Sequence, residues 1–255
     1  MKNGFTLGEV LMAILVIGIV AAMTMPRIIN NFQKDTFATH LKRLALDIEN
    51  AAYLHTMHCA KSSFANTEAF SDSHDCANCD VFMTTYLKAK KSDKTFAKSY
   101  ISIDESSITD NFKCTGKSYK LPDSTSLCVT EKTTALGDFS PFFELIVDLN
   151  GKIGPNVSGR DFFKLYLDQS GKVTGIEPGL TVEDITFAIY TVLNSGCIQG
   201  YNVDVNGDGS CDIADVTLLI NLRLNAKPDP SICTQNSDGI NCFAILKQNG
   251  WKMDY

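Results

Sequence analysis

The stretch Phe5-Thr6-Leu7-Gly8-Glu9-Val10-Leu11-Met12-Ala13-Ile14-Leu15-Val16-Ile17-Gly18-Ile19-Val20-Ala21-Ala22-Met23-Thr24-Met25 decides how this chain is organised. It is 21 residues long and carries one ionisable side chain, Glu9. As a helix it would extend about 31 Å, enough to cross the hydrocarbon core of a bilayer. A carboxylate within such a span costs up to about 3 kcal/mol by insertion scales, so it calls for a partner. The residues before it, Met1-Lys2-Asn3-Gly4, supply one. Cutting after Gly4 would expose the α-amino group of Phe5, a cation that Glu9 of a neighbouring subunit can neutralise. A helix that needs another copy to complete its charge pair is built for assembly. A secretory signal peptide cut near Ala21-Ala22 fits less well. The run is longer than a usual apolar core, has almost no basic leader and contains Glu9. A plain single-span anchor leaves Gly4-Phe5, and Glu9 one helical turn later, unexplained.

The string Gly4-Phe5-Thr6-Leu7-Gly8-Glu9 resembles the processing site of type IV pilins and type II secretion pseudopilins. The resemblance implies cleavage by a prepilin peptidase between Gly4 and Phe5, with methylation of the new amino terminus. It implies pairing of Glu9 with the terminus of an adjacent subunit. It also implies the partners: other pilin or pseudopilin subunits, the inner-membrane assembly platform and the lipid bilayer. The location would be a single pass through a bacterial inner membrane with a periplasmic globular domain, followed by incorporation into an extracellular or periplasmic filament. Gly18 and Pro26 fall where the family's membrane helix loosens in filaments. Glycine weakens a helix interior and proline removes an i→i−4 bond.

The 255 residues allow an anchor, one sizeable globular domain and a small extra module. Hydrophobic content of 44% and charged content of 20% are those of a folded chain. A net charge of −6 offers no support for nucleic-acid binding. The most basic stretch, Lys88 to Lys94, reads as a solvated loop. Nine cysteines, with an export signal, read as an oxidised exterior domain. Proximity favours Cys114 with Cys128, Cys233 with Cys242, and Cys197 with Cys211. Cys59, Cys76 and Cys79 remain as an odd set, from which one thiol is left over.

Beyond Pro26 the apolar residues Ile28, Phe32, Phe37, Leu41, Leu44, Ala45, Ile48 and Ala52 make one helical stripe. One long helix is therefore expected from Phe5 to about Leu54, its first half in lipid and its second half under a sheet. A loop follows, with a short helix near Val81 to Lys88. Strands are expected at Thr95 to Ile103, Ser126 to Glu131, Phe142 to Leu149, Phe162 to Leu167 and Lys172 to Ile176. Asn150-Gly151 and Ser170-Gly171 read as tight turns. The stretch from Val147 to Asp161 resembles the sheet region of pilin-like proteins, and the tail from Cys242 to Tyr255 resembles their closing segment, with Trp251 as its anchor. The expected fold class is α+β: a long amino-terminal helix on an antiparallel sheet, pilin-like, with a small helical calcium-binding insertion. The parts would be a leader (1–4), a membrane and assembly helix (5–26), its amphipathic continuation (27–58), a globular domain (59–179), the insertion (180–226) and a closing segment (227–255).

The insertion is read from two features. Thr181 to Asn194 aligns without gaps on Asp212 to Asn225, 31 positions on, with five identities, which indicates an internal duplication. Thr181 can cap the first helix, with Leu180 and Ile185 as a hydrophobic staple. Between the helices lies Asp204-Val-Asn206-Gly-Asp208-Gly209-Ser210-Cys-Asp212-Ile-Ala-Asp215, which fits an EF-hand loop with Asp at its last position. Calcium takes six to eight hard oxygens at flexible spacing. Asp204, Asn206 and Asp208 would point three inward, Ser210 would offer its carbonyl, Asp212 would ligate directly or through water, and Asp215 would close the site. The loop and its following helix resemble one repeat of a dockerin, which would bind a cohesin-like partner. Ile213 and Ala214 fall where that family contacts its partner. The first repeat has Val173, Gly175 and Glu177 where ligands would stand, so one Ca2+ is expected and cohesin docking is not.

His58, Cys59, His74, Cys76 and Cys79 have the residue types of a zinc site, but disulfides suit an exported domain better. The CxxC of Cys76 and Cys79 lacks the βαβ setting of a redox enzyme. His40 and His55 are expected to serve packing or to face solvent. No Gly-x-Ser-x-Gly, phosphate loop or HExxH is present, and nothing groups a nucleophile with a base, so the chain reads as a non-enzyme. Three functions remain: a minor pilin or pseudopilin subunit, a membrane-anchored calcium-dependent binding module displayed at the surface, and a DNA-uptake pseudopilin, against which the acidic balance counts.

Overall fold

A computed structural model describes residues 7–70, 76, 78–93, 95–103, 107–110, 112–134, 137–178, 182–194, 203–204, 208–225, 233 and 239–254. The fold is α+β, with a long amino-terminal helix and an antiparallel sheet. Helix α1 runs unbroken over Leu7–His58, 52 residues, or about 78 Å. Pro26 lies inside it without ending it. Two residues earlier, the Thr24 hydroxyl donates to the Val20 carbonyl, a back-bond of the kind that accompanies helix bending.

The helix has two physically different halves. From Leu7 to Thr36 nearly every side chain is exposed, including Ile28 and Phe32, which the stripe assigns to the core. Packing begins at Phe37 and Ala38 and continues through Leu41, Leu44, Ala45, Ile48, Ala51, Ala52 and His55. The stripe is correct in phase, but its first two members face outward. Apolar spacing alone cannot separate a surface for lipid or for another chain from a surface for the domain's own core.

The strands of the main sheet are β1 (Lys90–Lys91), β4 (Lys117–Lys120), β5 (Ser126–Thr134), β6 (Gly137–Asp148), β7 (Phe162–Leu167) and β8 (Val173–Thr174). These six lie side by side in the order β1-β4-β5-β6-β7-β8, all neighbours antiparallel. Between β1 and β4 in sequence, β2 (Ser99–Ile101) and β3 (Ser107–Asp110) form a separate antiparallel pair. The strand expected over Thr95 to Ile103 thus shrinks to three residues. Period-two alternation sends Leu127, Val129, Phe143, Leu145, Val147, Phe163, Leu165 and Leu167 to the face that packs on α1. On a separate cluster, Tyr100 stacks on Phe162 at 3.9 Å between ring centres, beside Ala97, Phe96, Phe112, Ile146 and Ile240.

The helix expected near Val81 is α2, Cys79–Thr85, and it starts at a disulfide rather than at an apolar residue. Asn150-Gly151 does turn the chain, with Gly151 at φ +64°. It is not a tight hairpin, because β6 ends at Asp148 and β7 begins at Phe162. Ser170-Gly171 does join β7 to β8, with Asp168 accepting the Ser170 and Lys172 amides. Helices α3 (Val182–Asn194) and α4 (Ile213–Asn225) bury a cluster of their own: Ala188, Val203, Val216 and Leu219. The expected Thr181 cap and Leu180 staple lie outside the described residues.

The tail closes with α5 (Phe243–Gln248), a helix whose Phe243 and Leu246 are fully buried in the main core and whose Phe243 meets Trp251 edge-on. Glu49 of α1 accepts the Val173 amide and faces Lys172 and Lys247, tying helix, sheet edge and tail together.

Candidate functional site

The exposed half of α1 is the first candidate. It is the one helix among the described residues long and apolar enough to cross a membrane, and none of its most apolar segment is buried. Glu9 lies in its first turn, where a carboxylate also suits the positive end of the helix dipole. Gly4 and Phe5, the expected cleavage pair, lie outside the described residues.

The acidic loop is the second. Gly209 takes φ +86°, a left-handed turn that glycine adopts at little cost. The Asp204 carboxylate accepts the amides of Asp208 (3.1 Å) and Gly209 (2.8 Å), so the loop closes on its first acid. Asp208 accepts the Ser210 amide at 2.8 Å. Asp212 accepts the Ala214 amide at 2.7 Å, in the manner of a helix cap, and Asp215 accepts the Asp212 amide at 3.0 Å. Asp215 is fully buried in the first turn of α4. Among the described residues no three His, Cys, Asp or Glu side chains converge as a metal-holding group. Asn206, the second of the expected ligands, lies outside them. Ile213 and Ala214 are both exposed.

The cysteines are placed as follows. Cys114 bonds Cys128, which lies on β5, and Cys233 bonds Cys242 at the start of α5. Cys211 is disulfide-bonded, and Cys197, its expected partner, lies outside the described residues. Cys76 bonds Cys79. That consumes two of the three thiols of the zinc alternative and leaves Cys59 as the free cysteine among the described residues. Cys59 sits 3.8 Å from the ring of His55, which is buried among Phe64, Phe82 and Tyr86. Burial lowers the His55 pKa. His40 contacts Asp123 at 2.8 Å. Burial pushes Asp123 upward, but the hydrogen bonds from His40 and Thr125 outweigh it and hold the carboxyl at about 2.

One further group is of functional type, and nothing in the sequence pattern marks it. Asp148 and Asp161, at either end of the β6–β7 loop, are both fully buried. The Tyr100 hydroxyl donates to Asp148 at 2.5 Å. Burial pushes the Asp148 carboxyl up to about 7, and the charge of Asp161 acts in the same direction, against the Tyr100 hydrogen bond. Burial also raises Asp161, against the amides of Val157 and Asn156. In sequence this segment reads as an Asn-Gly turn in a stretch that resembles the sheet region of pilin-like proteins, with no role assigned to its acids. The Tyr100 hydroxyl that meets Asp148 comes from β2, outside the main sheet.

No family model, curated protein or solved structure gives a significant match to this chain.

Proposed function

We propose that this chain is a pilin-like subunit, a minor pilin or pseudopilin, processed after Gly4 and assembled through its amino-terminal helix. The observation that carries the reading is the division of α1. One continuous helix exposes Leu7 to Thr36 almost completely, then buries one face from Ala38 to His55 under an antiparallel sheet. A membrane anchor needs only the first part and could be joined by any linker. A helix that extends rigidly into the core fixes the globular domain relative to the membrane segment, as packing into a filament requires. Glu9, in the first turn, supplies the charge that selects a neighbour's amino terminus. Mass spectrometry of the purified subunit tests this. The expected mature end is N-methylated Phe5. An end at Met1, or one near Ala22, would refute it.

Within this reading the α3–α4 module is a calcium-stiffened insertion. Asp204, Asn206, Asp208, Ser210, Asp212 and Asp215 would hold the ion. The donor set is all oxygen, and the left-handed Gly209 and the buried Asp215 suit such a site. A bound calcium would supply charge neutralisation and rigidity, not chemistry.

A second reading, a surface-displayed binding module on a simple anchor, draws support from the same module. It has its own buried cluster and leaves Tyr190, Leu193 and Ile213 at least 60% exposed. The two readings diverge at Glu9, whose charge pairs with a neighbouring subunit only in the first.

A further inference from the structure

Helix α1 sets the level of the bilayer. With Leu7 to Pro26 in hydrocarbon, the headgroup layer beyond Pro26 is about 5–8 Å deep. Ile28, Ile29 and Phe32 carry the exposed apolar surface through that layer. Lys34 stands about 12 Å past Pro26 along the axis, within a side chain's reach of the lipid phosphates. Any part of the globular domain beside Lys34 therefore lies close to headgroups.

That part is the loop between β6 and β7. At its carboxyl end the charge of Arg160 acts on Lys34, as does that of Asp254. Burial lowers the Lys34 pKa and Arg160 lowers it further, so the two cations disfavour each other. The amino end of the loop is tied to the helix two turns on. The Thr125 hydroxyl donates to the Leu149 carbonyl at 3.3 Å and lies 3.3 Å from His40 Nε2. Asp123 meets the same nitrogen at 2.8 Å. Gly151 lies against Ser124 and Ser126 of that connection. Both ends of the loop thus sit where α1 emerges from the domain.

The surface of the loop suits a lipid interface. Ile153, at its tip, is 72% exposed, more than any other large apolar side chain described outside α1 and the α3–α4 module. A single exposed apolar residue needs no explanation by itself. This one has cations on either side. Lys152 is exposed, and Arg160 is half-buried and forms no ion pair among the described residues.

We infer that the β6–β7 loop is a second membrane contact: Ile153 enters the boundary between headgroups and acyl chains while Lys152 and Arg160 bind the phosphates of anionic lipids. Apolar side chains flanked by basic ones hold to interfaces in this way, and an anionic leaflet attracts each basic side chain close to it. The planar fork of arginine matches a phosphate in two hydrogen bonds. The contact would hold the domain against the bilayer at a fixed tilt. The inference rests on α1 spanning a membrane and uses neither cleavage after Gly4 nor calcium.

The test is fluorescence of the full chain in vesicles whose acyl chains carry bromine, which quenches indole on contact. Ile153→Trp places a reporter at the tip, and the parent, with Trp251 alone, supplies the background. In brominated phosphatidylcholine with phosphatidylglycerol, the added emission should fall by about half or more. Adding Lys152→Gln and Arg160→Gln should restore most of it. So should omitting phosphatidylglycerol, or raising salt from about 0.1 to about 1 M, which shortens screening from about 10 to about 3 Å. Tryptophan itself favours interfaces, so the parent is measured as well: peptides spanning 149–160 should exchange hydrogen about threefold or more slowly in phosphatidylglycerol vesicles than in phosphatidylcholine. Alkaline carbonate should leave every variant in the membrane pellet. Absence of quenching, or of protection in the parent, with the chain still in the pellet would overturn the loop contact alone. Equal quenching without phosphatidylglycerol or in the glutamine variant would overturn the phosphate assignment. Release by carbonate would overturn the span and the inference together.

Discussion

Replacing Glu9 with glutamine keeps the side chain's shape and removes its charge, and the two readings of α1 then predict opposite signs. The segment Leu7 to Pro26 is about 30 Å long as a helix, the thickness of the hydrocarbon core. Glu9 is two residues from its start, about 3 Å inside. Insertion scales charge a carboxylate about 3 kcal/mol at mid-membrane and less near the edge, so Glu9→Gln makes insertion easier by at most that amount. A simple anchor would be retained as well as before, or better. Assembly through a charge pair in a low-dielectric setting behaves otherwise. Leaving one partner of a buried pair alone costs about 3–5 kcal/mol, and at about 1.4 kcal/mol per decade association between copies should fall by at least about 100-fold. The assay is chemical cross-linking of the full-length subunit in native membranes, with the sheared extracellular fraction collected separately. The expected outcome is an unchanged membrane fraction, loss of cross-linked oligomers and no sheared material. Cross-linking equal to the parent's would refute the pairing of Glu9 with a neighbour's terminus, whatever the membrane fraction shows.

Ile48→Ala empties a fully buried position between α1 and the sheet; at about 2–5 kcal/mol and about 2–4 °C per kcal/mol for a domain of this size, calorimetry should show a melting temperature lower by at least about 4 °C, whereas Ile19→Ala, half-exposed on the same helix, should leave it unchanged. Chelation should speed proteolytic cutting between Val203 and Asn225, and an identical digestion pattern with and without chelator would remove the acidic loop as a calcium site. Asp123 is held at about 2 from an ordinary 3.8, so its contribution to stability is fully present above the ordinary value and is lost as pH falls through the depressed one; melting curves of parent and Asp123→Ala should differ at pH 5 and converge near pH 2. Removing the Cys114–Cys128 bond, which links positions 14 apart, should cost about 3 kcal/mol by loop-closure entropy, read as a lower urea midpoint for the double serine variant.

What is legible in the sequence follows from where each signal is local. The apolar run, the phase of the α1 stripe and the strands β6 and β7 depend on neighbours within a few positions, and they stand as expected apart from their ends. Short separations suggest Cys114–Cys128 and Cys233–Cys242, and the structure bonds both pairs. The EF-hand-like spacing is equally local, so candidate ligands can be read from it without any geometry. Long-range effects are not legible. Strand β1 has two residues and exists only because β4 presents its edge, and of the strand expected over Lys172 to Ile176 only Val173–Thr174 pairs. Ile28 and Phe32 continue the core stripe in sequence yet face outward, because the sheet meets the helix only from Phe37 onward. The burial of Asp148 and Asp161 is not marked in the sequence; the Tyr100 hydroxyl that meets Asp148 comes from β2, 48 positions away.

Two forces of very different size act on the exposed half of α1, and in the pilin reading the smaller one sets its use. Leu7, Val10, Leu11, Met12, Ile14, Leu15, Val16, Ile17, Ile19, Val20, Met23, Met25, Ile28, Ile29 and Phe32 are all more than 40% exposed. Covering these side chains is worth on the order of 20–40 kcal/mol at about 1.5–3 kcal/mol each, more than the roughly 5–15 kcal/mol that holds a typical domain together. This helix therefore does not rest in water: lipid or other copies must cover it. The same magnitude does not say which, because lipid tails are as apolar as leucine and the hydrophobic gain is nearly equal in a bilayer and in a helical bundle. Discrimination falls to the small polar differences. Gly8 and Gly18 leave open space on the helix, with nothing within 4 Å of where a Cβ would stand, which permits close approach by another backbone but does not demand it. On the pilin reading proposed above, Glu9 is the group that tips the balance from lipid to a cationic neighbour. Apolar burial requires that the helix be covered, and that reading assigns the choice of cover to a single carboxylate.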